Sequence, residues 1–277
     1  MPKQEITVAH SPDSDDAFMF YALAAEKVQS PAFAFRHHLS DIETLNRQAM
    51  EGQWDVTAIS IHAYPYIAER YSLMACGGSL GDGYGPIVVS KRELAPDQLR
   101  GKKIAVPGAL TTSFLVMKIY EPDFQAAVMP FDKIMDAVKE GSVDAGLLIH
   151  EGQLTYGHEG LRSVVDLGRW WGEQFGLPLP LGGNAIRKDL PPPVREAVNE
   201  LLRRSIQYAL DHRQEAMAYA LGFARDMEPE LADRFVGMYV NGYSIDYGPQ
   251  GRRAIQTLLR LGYEKGLISR KPPDEIV

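Results

Sequence analysis

At 277 residues the chain is longer than one modest hydrophobic core requires, so one large domain or two smaller ones are expected. Its 45% hydrophobic and 23% charged residues fit an ordinary globular protein, and a net charge of −7 without a dominant basic patch argues against a general binder of nucleic acid or anionic membrane. A single cysteine leaves no disulfide framework or Cys-based zinc site; with no secretory core at the N-terminus and no run near the ~18 apolar residues of a membrane span, the expected compartment is the cytoplasm.

The first third alternates short apolar runs with helical patterns. "EITVAH" reads as a strand, followed by a loop and helix in "SPDSDDAFMFYALAAEKV". "FAFRHHL" is a second strand before the helix "DIETLNRQAMEG", and "DVTAIS" a third before "IHAYPYIAERY". This order predicts parallel strands with right-handed crossovers. Cys76 ends an apolar stretch, where a buried inert thiol is the ordinary reading. The glycine-rich "CGGSLGDGYGPIVVS" lacks both the Gly-Lys-Ser/Thr ending of a phosphate loop and the dinucleotide spacing, and reads as a flexible connection.

A second series follows: strand "KKIAVPG", helix "TTSFLVMKIY", strand "FQAAVMP", helix "FDKIMDAVKEG" and strand "VDAGLLIH". The proline-rich "FGLPLPLGGNAI" breaks it, and from Pro191 the pattern is helical. The chain is therefore expected to be α/β with two lobes. Residues 1–90 and 182–277 would form lobe one, with the last helices packed on it, and residues 91–181 lobe two. A ligand cleft is expected between them, at the carboxyl ends of the strands.

The segments after the strands supply the candidate site residues. Asp13 or Ser14 can cap the first helix, and Asp16 lies in its first turn, as a dipole partner or a ligand contact. Asn46 lies one turn into the second helix, where a solvated face is the plain alternative. Ser60 ends the third strand and is an N-cap or a carboxylate contact. His62, near Tyr64 and Tyr66, fits an aromatic cluster. Gly108 permits a tight turn, after which Thr111 and Thr112 open a helix whose N–H groups and hydroxyls suit an anion.

His150 follows an apolar strand; an imidazole there is structural or a proton acceptor near neutrality. The pairs His150–Glu151 and His158–Glu159 lack the HExxH spacing that sets two metal ligands on one helical face, so no metal site is expected.

Taken together, "SPDSDDAFMFYAL", "DIETLNRQAMEG", "VPGALTTSF", "GLLIHEGQLTY", "VVDLGRWW", "GLPLPLG" and "YVNGYSIDYG" resemble the 1,4-dihydroxy-6-naphthoate synthases of the futalosine route to menaquinone, nearly end to end. The resemblance implies a two-lobed periplasmic-binding-protein-like (type II) fold and a cytoplasmic lyase with neither metal nor organic cofactor. Its substrate would be a small carboxylate, cyclic dehypoxanthinyl futalosine, from which the naphthoate core is released. It also implies His150 as the general base, Thr111 and Thr112 as holders of the substrate carboxylate, and Asp16, Asn46 and Ser60 as contacts to sugar-derived hydroxyls. One departure stands out: the family's Pro-Asn-Asp-Thr is here Ser14-Asp15-Asp16-Ala17, an acid in place of an amide and a methyl in place of a hydroxyl, which leaves room for a related substrate. Two other readings remain: a cytosolic sensor that binds a carboxylate without turnover, and the sister chorismate dehydratase.

Overall fold

The computed structural model describes residues 2–224 and 227–274. The chain opens with β1 (Gln4–His10), α1 (Ser14–Ala24), β2 (Phe33–Leu39), α2 (Ile42–Glu51), β3 (Val56–Ser60), α3 (Tyr64–Ile67), β4 (Tyr71–Leu73) and β5 (Ser79–Gly81). It continues through β6 (Ile87–Ser90), β7 (Lys103–Val106), α4 (Thr112–Tyr120), β8 (Gln125–Val128), α5 (Ile134–Glu140), β9 (Ala145–Leu148), α6 (Gly152–Thr155), β10 (Arg162–Asp166) and α7 (Leu167–Phe175). It ends with β11 (Leu179–Arg187), α8 (Pro192–Asp211), α9 (Arg213–Ala220), α10 (Pro229–Tyr239), α11 (Gly242–Ile245) and α12 (Gly248–Glu264).

Two sheets result. The first has the order β2-β1-β3-β11-β4, with β5 also on β11; the second has β10-β6-β9-β7-β8. Each is parallel at its heart, through β1 with β2 and β3 and through β7 with β8 and β9. Antiparallel strands are added where the chain passes between sheets: β11 runs against β3, β4 and β5, and β6 against β9 and β10. The expected strand–helix rhythm accounts for the parallel cores but not for these crossing strands.

The crossings fall earlier than the expected boundaries at residues 90 and 182. β6 already belongs to the second sheet, and β11, beginning at Leu179, belongs to the first. The glycine-rich connection thus contains β5 and the whole of β6, and the proline-rich break is a nine-residue strand. Pro180 is accommodated there because the register with β5 shifts between Pro180 and Gly182, where the ladder does not need its missing N–H.

Local chemistry explains the helices that bear the site. α2 is bounded by Asp41, whose side chain accepts from the Thr44 N–H, and by Gly52 in a left-handed conformation at φ 73°. α1 is buried from Ser14 to Leu23, because α8, α9 and α10 pack around it. Phe18 and Met19 share a core there with Leu201, Ile206 and Val236. The C-terminal helices were expected on lobe one alone. α12 instead joins both lobes: Ile255, Leu258 and Leu259 share a core with Ile59 of β3 and with Leu115 and Val116 of α4. Among the described residues no helix is long and apolar enough to cross a membrane.

Candidate active site

Between the sheets lies a cleft with about 720 Å³ of space not filled by protein atoms, part of it open to solvent. Asp16, Ser60, Thr111, Thr112 and His150 all line it, drawn from both lobes, whereas Asn46 does not.

Asn46 is fully buried one layer behind Ser60. Its Nδ2 donates to Ser60 Oγ at 3.0 Å and its Oδ1 accepts from the Ser60 N–H at 2.8 Å. Both ends of the amide are therefore engaged in fixing the serine.

His150 sits two residues beyond the end of β9, with its backbone at φ 52°, a left-handed conformation uncommon for a residue with a Cβ. Its ring packs edge-on against Phe131, 4.9 Å between centroids. Nδ1 lies 3.3 Å from Oδ2 of Asp13, a residue of the other lobe that is 3% exposed. Asp13 occupies the N-cap position of α1 yet makes no side-chain cap bond. Its carboxylate reaches across the cleft to the imidazole instead. The contact assigns the N–H to Nδ1 and the lone pair to Nε2.

Beside that pair, the first turn of α1 holds two more buried carboxyls. Asp16 accepts the Ser11 N–H and hydroxyl, both at 2.8 Å; burial raises its pKa to about 6, with the Ser11 bonds opposing and Asp13 adding to the rise. Asp15 has no such donors at Oδ1, and burial together with Asp16 and Asp13 raises its pKa to about 8.

The tip of α4 faces them. Thr111 is a working N-cap, accepting from the Phe114 N–H and donating to Gly108 O at 2.8 Å. Thr112 Oγ1 donates to Leu181 O of lobe one at 2.6 Å. Both threonine hydroxyls are thus engaged within the protein. The donors available to an anion are the backbone N–H groups of Thr112 and Ser113, which have no intrahelical acceptor; the Ser113 hydroxyl lies 3.0 Å from Thr111 Oγ1 and, since the Thr111 proton goes to Gly108 O, is the donor in that pair. Gly108 matters through space rather than through an unusual φ. A Cβ there would lie 2.4 Å from Glu43 Oε2, the atom that accepts the Leu110 N–H across the lobes at 3.1 Å.

Further residues of the lining have no motif to announce them. Asn184 on β11 donates through Nδ2 to Gly77 O, and its buried Oδ1 has no hydrogen-bond partner among the described residues. Tyr239 of α10 donates to Gln153 Oε1 of α6 at 2.6 Å, a bond between the lobes within the cleft lining. Ser113 could have been found by extending the helix-tip logic one residue; Asn184, Gln153 and Tyr239 could not. His62 stays behind α4: its Nδ1 is 3.2 Å from Thr111 O, and burial lowers its pKa to about 4. Cys76 is buried against Asn199 and its thiol is pushed up to about 12 by burial, as suits an inert side chain. Among the described residues no group of three or more His, Cys, Asp or Glu is placed to hold a metal ion.

Residues 6–264 match the model of a family described as menaquinone biosynthesis. A 1,4-dihydroxy-6-naphthoate synthase of Thermus thermophilus is 40% identical over 97% of this chain and 98% of its own length. A crystal structure of a protein from Archaeoglobus fulgidus superposes with a TM-score of 0.92 at 48% identity, covering 95% of this chain and 98% of that one. A Candida albicans protein described as having the generic periplasmic-binding-protein fold covers 98% of this chain and 92% of its own, with a TM-score of 0.74 at 14% identity. The fold is thus periplasmic-binding-protein-like, two lobes about a cleft, as the sequence leads one to expect.

Proposed function

Since the chain belongs to the menaquinone-biosynthesis family, in which its full-length relative is a named synthase, we propose that it is a lyase that releases 1,4-dihydroxy-6-naphthoate from cyclic dehypoxanthinyl futalosine. His150 is the general base of this reaction. The observation that carries the reading is the contact of His150 Nδ1 with Asp13 inside a cleft lined by both lobes. An imidazole held at Nδ1 by a carboxylate offers Nε2 as the proton acceptor and is stabilised when it becomes imidazolium.

The N–H groups at the tip of α4 take the substrate carboxylate. Ser60, fixed by Asn46, and Asp16, fixed by Ser11, contact the sugar-derived hydroxyls from lobe one. Cross-lobe bonds such as Thr112 to Leu181 and Tyr239 to Gln153 keep bulk water from the reacting carbon. The substrate is small and anionic, and no further chemistry than proton transfer and bond fragmentation is asked of the side chains.

The test is product formation. Purified protein incubated with cyclic dehypoxanthinyl futalosine should yield dihydroxynaphthoate, and chorismate should be left unchanged. His150→Ala should lower turnover by ~10²–10⁴ with little change in substrate affinity. Binding without product would identify a sensor, and turnover within a few-fold of wild type in the variant would remove His150 from the base role.

A further inference from the structure

Glu43 lies in the first turn of α2, where an acid suits the helix dipole and Arg47, four residues on, supplies an ion-pair partner. Neither role requires burial, yet the side chain is only 13% exposed. Its two oxygens are divided. Oε1 accepts from Arg47 at 2.7 Å, and Oε2 accepts the Leu110 N–H of the other lobe at 3.1 Å. Leu110 stands immediately before Thr111, the N-cap of α4, so the bond is made to the loop that carries the helix tip.

Two neighbours show what the bond fixes. Asn46, one turn along α2 on the same face, holds Ser60 with both ends of its amide, and its Nδ2 lies 3.5 Å from Leu110 O. One face of one helix therefore registers Ser60, a lobe-one residue of the cleft lining, against the lobe-two tip. Gly108 completes the fit from the other side. A Cβ there would lie 2.4 Å from Oε2, 2.7 Å from Cδ and 2.8 Å from Cγ of Glu43, all closer than Cβ atoms come to their neighbours. The loop and the acid fit because residue 108 has no side chain. Arg47, on the other oxygen, offsets a negative charge that would otherwise oppose an anion at the tip.

We propose that Glu43 is a positioning residue: its bond to the Leu110 N–H holds the tip of α4 at a fixed distance from Ser60, and so sets the seat of the substrate carboxylate. This rests on the lyase reading above, in which that tip takes the carboxylate. Glu43 itself does not line the cleft. Its loss weakens substrate binding and leaves proton transfer at His150 in place.

Steady-state kinetics on cyclic dehypoxanthinyl futalosine separate this from a role in helix stability. Glu43→Ala should raise KM by ~10-fold with kcat within about threefold of wild type, as expected for one lost hydrogen bond to a charged acceptor. Glu43→Gln keeps an oxygen for the Leu110 N–H while removing the charge, and should recover most of that loss. A role through the helix dipole would make glutamine as poor as alanine. Gly108→Ala should raise KM by ~10-fold in the wild-type background, by displacing the carboxylate, yet add less than about twofold in Glu43→Ala, where the obstructing atoms are gone. Equal effects of Glu43→Ala and Glu43→Gln, additive effects of the Gly108 and Glu43 substitutions, or a fall in kcat with KM unchanged would each overturn the proposal.

A second measurement needs no turnover. Hydrogen exchange at the Leu110 amide of the free protein, followed by NMR, should be ~10-fold or more faster in Glu43→Ala than in wild type, and close to wild type in Glu43→Gln. Equal exchange in all three proteins would also overturn the proposal. Absence of product from wild type would sink the lyase reading, whereas the exchange comparison would still decide whether Glu43 holds the tip.

Discussion

Two helix tips face each other across the cleft, and they use their N-cap residues in opposite ways. At α4, Thr111 caps its own helix, and Thr111 and Thr112 direct their hydroxyl protons to protein carbonyls. At α1, Asp13 occupies the cap position, makes no cap bond, and faces the imidazole of the other lobe. One tip is built for its own stability and leaves backbone N–H groups for a ligand. The other gives up a cap bond to hold an imidazole of the opposite lobe. A residue type favoured at a helix start therefore does not reveal which of the two it serves.

The sharpest way to break this contrast is to change both caps. Asp13→Asn should lower turnover by ~10²-fold, because the amide can present its N–H₂ to Nδ1 and so favour the tautomer with the lone pair on the wrong nitrogen. It should change unfolding free energy little, since no cap bond is lost. Thr111→Ala should do the reverse: about 1 kcal/mol of stability lost, with turnover much less affected. Steady-state kinetics beside urea unfolding of the two variants checks this. Equal stability losses at the two sites would dissolve the distinction.

The contrast also marks where the sequence was readable. β1, β2, α2 and α4 follow from alternation, capping residues and helical spacing, because those signals are local. β11 does not, since Pro178 and Pro180 imitate a break and only the register shift beside β5 makes room for the second. Among site residues, His150, Ser60, Asp16 and the threonine pair lie at strand or helix ends, where sequence points to ligands. Asn46 was expected to touch the ligand and instead braces Ser60. The role of Asp13 depends on a partner on another lobe, and nothing in its neighbourhood of the chain encodes that.

A smaller effect sharpens the same comparison through pH. Burial lowers His10, His37 and His62 to about 4 from the usual 6.5. As pH falls below 6.5 the unfolded chain takes up protons at these three sites that the folded chain cannot, so their contribution is lost toward pH 4. The acids of α1 act in the other direction. Asp15 and Asp16, raised from 3.8 to about 8 and about 6, hold protons in the folded state that the unfolded state has released, so stability is lost as pH rises toward those values. Below 6.5 the three histidines outweigh the two acids; above it only Asp15 remains. Stability from these groups should therefore peak near pH 6.5. Asp15→Asn should flatten the decline between pH 6.5 and 8 and steepen the fall on the acid side, where Asp15 no longer offsets the histidines, and thermal midpoints from pH 4 to 8 would show it.

The least expected effect lies where the tips are held together. Tyr239 donates from lobe one to Gln153 of lobe two, both within the cleft lining. Tyr239→Phe removes one buried hydrogen bond, worth ~1 kcal/mol net, and leaves Gln153 Oε1 without its donor in the closed form. An open form lets water reach that oxygen, so the substitution shifts the balance toward opening rather than damaging the chemistry. A substrate that contacts both lobes should bind about fivefold more weakly, while turnover of bound substrate stays near wild type. Small-angle scattering of the free protein should show a slightly larger radius of gyration in the variant. If turnover fell with affinity unchanged, Tyr239 would act on the reacting atoms instead of on closure.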